Sequence, residues 1–166
     1  MRDQAAIRGA KGVIVSIICL WMAGGCQQSL APRMAFAGLS PDFLLISLGC
    51  LGLCGSRKSG AVTGFFAGVI QGALAGANMA QYVVSRTLSG FLLGWLNTLE
   101  FDANAVVAFF AVFATTILSQ LLLMFLAPPP RIIAFLLATI GSAVYNGVLA
   151  MPLFMLLKKV VDPPNR

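Results

Sequence analysis

The chain has 166 residues, 59% of them hydrophobic and 10% charged, with a net charge of +6. A mean hydropathy of +0.93 leaves too little polar surface to cover a soluble globule, so the chain reads as an integral membrane protein. Apart from Arg86, the positive charge lies at the ends of the apolar runs, where it serves insertion and contact with anionic lipid, and it gives no reason to propose a nucleic-acid partner.

The breaks between apolar runs predict an all-α fold with six transmembrane spans, forming one domain over residues 1–166. The first span runs from about Val13 to Leu30. Its flank "MAGGCQQS" resembles a lipoprotein signal ending at Cys26, but Ala23 stands where such a signal prefers leucine and further apolar spans follow, so a retained helix is expected. The second span, about Asp42 to Gly55, is short for a hydrocarbon core of about 30 Å, which implies a thinned bilayer or neighbours that shield its ends. Ser40, Pro41 and Asp42 supply a capping hydroxyl, a preset first-turn φ and an acid beside the positive helix end.

The third span, Gly60 to about Ala77, reads "GAVTGFFAGVIQGALAGA", with glycine at every fourth position: Gly60, Gly64, Gly68, Gly72 and Gly76. In a water-exposed helix each would cost roughly 1 kcal/mol relative to alanine. In lipid that cost is partly removed, and a row of small residues cuts an oblique groove that lets another helix approach closely. The fourth span, about Ala80 to Leu96, repeats the device with Gly90 and Gly94 beside Ser89, so the third and fourth helices are candidates to pack together. The groove has two possible occupants: a helix of this protein's own bundle, or one from another chain. The fifth span covers about Asn104 to Leu126 and the sixth about Arg131 to Leu157, where Pro152 is expected to kink the helix before Lys158 and Lys159 anchor it.

With the N-terminus in the cytoplasm, Arg2, Arg8, Lys11, Arg57, Lys58, Lys158, Lys159 and Arg166 are inside and only Arg33 and Arg131 outside. This distribution places both termini in the cytoplasm.

Asp3, Asp42, Glu100, Asp102 and Asp162 all lie at termini or span ends, and the chain has no histidine. No paired inward carboxylates and no serine with a histidine base are available, so no catalytic residues, metal or cofactor are expected. Cys19, Cys50 and Cys54 are read as buried thiols within spans. The functional weight falls on intramembrane polar residues: Gln28, Asp42, Gln71, Arg86 and Asn146, with Asn104 a weaker signal. Arg86 either snorkels to the outer interface or makes an outward-facing polar contact, with Gln27, Gln28 and Gln71 or with another protein.

Three stretches, "QSLAPRMAFAGLSPDFLLISL", "SRKSGAVTGFFAGVIQGALAG" and "YNGVLAMPLFMLLKK", together resemble the MreD family of bacterial rod shape-determining proteins. Its members are similar in the proline-acid or proline-histidine opening of the second span, the basic tight turn, the glycine-rich third span, and an asparagine and a proline in the last helix. The chain differs in having Gln71 where the family often has an aspartate, so no role of that acid is carried over. The resemblance implies a noncatalytic component of the cell-elongation machinery in the bacterial inner membrane. It implies binding to MreC and, through it, connection of MreB filaments to the RodA glycosyltransferase and its class B transpeptidase in lateral peptidoglycan synthesis. It also implies a bundle like that of the S components of energy-coupling-factor vitamin transporters. A substrate-binding subunit of that kind is the alternative function, and it would require an outward pocket with convergent polar groups.

Overall fold

The computed structural model describes residues 2–36, 38–76, 78–96 and 104–161. Those residues form six helices: α1 Arg2–Ser29, α2 Phe43–Cys54, α3 Arg57–Ala75, α4 Met79–Leu96, α5 Ala105–Leu126 and α6 Ile132–Val161. Every expected span contains a helix. The largest difference is at α1, which begins at Arg2 rather than Val13 because no proline interrupts the polar turns ahead of the apolar run. Likewise α3 begins at Arg57 rather than Gly60, since the Ser56 hydroxyl accepts from the Ser59 amide at 3.3 Å and caps the helix there. Glu100, Asp102 and Asp162 lie outside the described residues.

Three of the helices, α1, α5 and α6, are long and apolar enough to cross a membrane by themselves. The short helix α2 occupies the centre. It touches all five other helices, and every residue from Leu44 to Leu53 is buried. A helix apolar on all sides belongs inside a bundle, and here its neighbours cover it from Leu44 to Leu53. Glycines on α2 set how close the neighbours come: a methyl at Gly52 would stand 2.9 Å from the Leu93 Cβ of α4, and one at Gly49 would strike Val112 of α5. The main core follows from this, with Ile46, Cys50 and Leu53 of α2 packed on Leu93, Val112 and Phe154.

The antiparallel pair α3 and α4 is built around the glycine row. A methyl on Gly68 would lie 2.6 Å from the Val83 Cα, one on Gly72 2.9 Å from the Met79 Cα, and one on Gly94 2.6 Å from the Ser56 carbonyl oxygen. Gly60 and Gly90 face each other's carbonyls, and Gly64 faces the Arg86 carbonyl. Backbone therefore meets backbone along the whole pair, which fills this face from within the chain. Gly76 stands apart from the row. It has φ 59° and nothing within 4 Å of an added methyl, so it closes α3 in the left-handed conformation instead of lining the groove.

The segment between α1 and α2 makes a tight turn at Gly38, φ 80°, with paired bonds between Phe36 and Leu39 at 2.8 and 2.9 Å. The Tyr145 hydroxyl of α6 donates to the Met34 carbonyl at 2.8 Å and ties this turn to the bundle. Helix α6 continues through Pro152, whose missing amide leaves the Val148 carbonyl without its usual helical donor. Of the cysteines read as buried, only Cys50 is: Cys19 is half-buried, and Cys54, in the last turn of α2, is exposed.

Candidate functional site

The polar residues of the spans converge where α2 begins. Asp42 caps α2, its Oδ1 accepting from the Leu45 amide at 2.9 Å. Its other oxygen, Oδ2, accepts from Arg86 Nη2 of α4 in an ion pair. Arg86 is 1% exposed and Asp42 14%, so the guanidinium turns inward. Neither alternative for Arg86 is seen, snorkelling or a contact with the glutamines: α4 packs its Arg86 turn directly on Gly64 of α3, and the side chain meets a carboxylate and Ser119 inside the bundle.

The pair is embedded in a wider set of bonds. Arg86 Nη1 donates to Ser119 Oγ of α5 at 2.6 Å, while Ser85 Oγ donates to the Ser119 carbonyl at 2.7 Å. From α6, Asn146 Oδ1 accepts from the Asp42 amide at 3.0 Å and Nδ2 donates to Thr116 Oγ1 at 3.3 Å. From α1, Gln27 Oε1 accepts from the Phe43 amide at 2.8 Å. The amides of Asp42, Phe43 and Leu45, which no helical carbonyl satisfies, are thus all paired by side chains. Helices α1, α4, α5 and α6 contribute side chains together with the N-cap of α2, and α3 contributes the glycine against which Arg86 rests.

Of the polar residues singled out in the sequence, Asp42, Arg86 and Asn146 meet here. Gln28 is exposed and its neighbour Gln27 takes the place at the junction. Gln71 lies elsewhere on α3, its Oε1 buried without a hydrogen-bond partner. Asn104 caps α5 through a 2.9 Å bond from the Val107 amide. Sequence reasoning passed over Ser85, Thr116 and Ser119. Their signal was present, since Thr116 and Ser119 are spaced to share one face of an apolar helix and Ser85 adjoins the intramembrane arginine.

Chemically the junction is a neutralised pair. The single carboxylate among the described side chains is engaged by a guanidinium and by a helix terminus, and no group of three or more potential metal ligands occurs among the described residues. Such a site holds helices in register; it offers neither an open base nor a nucleophile.

Five helices around a buried apolar sixth, joined at a polar junction, define an all-helical membrane protein. Within that class, the family described as rod shape-determining protein MreD matches residues 9–160, nearly the whole chain, and the protein belongs to it. Comparison with curated proteins and with solved structures gives no match.

Proposed function

We propose that this protein is a noncatalytic scaffold of the bacterial cell-elongation complex. It crosses the inner membrane six times with both termini in the cytoplasm, binds MreC, and through MreC connects MreB filaments to RodA and its class B transpeptidase during lateral wall synthesis. The observation that carries the proposal is the family match across 9–160. The junction supports it, because its charged groups are used up in joining the protein's own helices. The topology rests on the cluster of basic residues at the α2–α3 turn and at both termini.

Affinity purification of the tagged protein from native membranes in mild detergent, with mass spectrometry of its companions, tests the proposal. MreC with RodA is the expected recovery. A transmembrane coupling subunit with two ATPases would instead establish the vitamin-transporter role and overturn the scaffold.

A further inference from the structure

Helices α1 and α3 touch at one level and part at another. Near the end of α1, a methyl on Gly24 would stand 3.2 Å from Ile70 Cγ2, and Leu20 and Ala67 are buried together with Ile70 packed beside them. Toward the start of both helices a cavity of about 560 Å³ opens, walled by Val13, Ile17, Val62 and Phe66. That volume falls in the range of small-ligand sites, roughly 300–1,000 Å³. The wall is hydrocarbon except for Ser16 and Thr63 and, at the end where α3 begins, Lys58 and Ser59. Arg57 adjoins Lys58, and both are exposed. A narrower apolar cavity continues from Leu20 and Trp21 toward Leu74 without any charged group.

Shape and charge together select the occupant. The rise from Lys58 to Ile70 is about 18 Å, close to the roughly 15 Å of a single leaflet, half of a 30 Å hydrocarbon core. A ligand matching this groove has an acyl chain one leaflet long and a negative headgroup at the cationic end. We propose that the groove holds one anionic phospholipid, with its phosphate on Arg57 and Lys58 at the positive end of α3 and one acyl chain lying between α1 and α3. The proposal is independent of which leaflet Lys58 faces and of which proteins the scaffold binds.

Native mass spectrometry tests it on the full-length protein, exchanged in mild detergent against phosphatidylglycerol or phosphatidylcholine with identical chains. The wild type is expected to retain one phosphatidylglycerol in preference to phosphatidylcholine, by about fivefold for each of the two cations. Arg57→Gln with Lys58→Gln should abolish the preference while leaving a lipid bound. Val62→Trp fills the groove from a position 56% exposed and should displace both lipids. Equal retention of the two lipids by the wild type, or a preference that survives the double glutamine variant, overturns the proposal. So does capture of a protein instead of lipid by a photoreactive residue at Ile17 in native membranes. Should Val62→Trp lower helicity, the charge variant decides alone.

Discussion

The α3–α4 face and the junction at the start of α2 hold helices together by opposite means. Along α3–α4 there are almost no side chains, and the force is dispersion between backbones in close contact. At the junction, polar side chains bridge α4 and α6 to the start of α2 and α4 to α5, and the force is directional: an ion pair with hydrogen bonds beside it. The two are coupled at one place, because Gly64 receives the turn of α4 that carries Arg86. A bundle in lipid lacks the hydrophobic drive that assembles soluble cores. The glycine face supplies proximity and the junction supplies register.

The largest expected effect comes from destroying proximity. Replacing Gly64, Gly68 and Gly72 together with leucine forces α3 and α4 apart at three levels. Each single overpacking costs about 1–3 kcal/mol, so the triple variant should fail to fold. Loss of the monodisperse peak in detergent would show this, and a triple variant that kept wild-type thermal stability and co-purification would break the account of this face. Next comes Arg86→Leu, which strands a carboxylate among helices at a cost of about 3–5 kcal/mol. Adding Asp42→Asn to Arg86→Leu should return a large part of that loss, and a double-mutant cycle of thermal stabilities measures the coupling. Additive losses would mean that the pair contributes no register.

Smaller effects sharpen the comparison. Asn146→Ala removes the bonds to the Asp42 amide and to Thr116 and should cost about 1–3 kcal/mol, read as a lowered midpoint of thermal unfolding. Gly76→Ala must hold an L-residue at φ 59°, a penalty of about 1–2 kcal/mol that would not be relieved by making room nearby. Gln71→Leu should change stability by less than about 1 kcal/mol, or raise it, because its buried Oε1 has no partner to lose.

Much of the architecture was legible in the chain for a physical reason: lipid imposes length and apolarity on every crossing segment, so six apolar runs announced six helices. The glycine row was legible because helical periodicity puts residues four apart near one face. The start of α2 was readable from Ser40, Pro41 and Asp42, although the cap is the Asp42 carboxylate and not the Ser40 hydroxyl. By contrast, an intramembrane arginine announces that it needs a partner but does not say which. Arg86 and Asp42 are 44 positions apart, and nothing local to either specifies the other. Gln27 and Gln28 differ only by the helix rotation that turns one toward α2 and the other outward.

The sequence by itself determined the solvent, the number of helices, the row of close approach and the shortness of α2, since each follows from composition or from periodicity along a single segment. Only the tertiary structure decided that α4 fills the glycine face, that α2 is the centre of the bundle, and that Arg86 turns inward to Asp42 and Ser119. Those outcomes depend on how separate helices are arranged around one another, and a buried charge takes whichever partner that arrangement brings within hydrogen-bond reach.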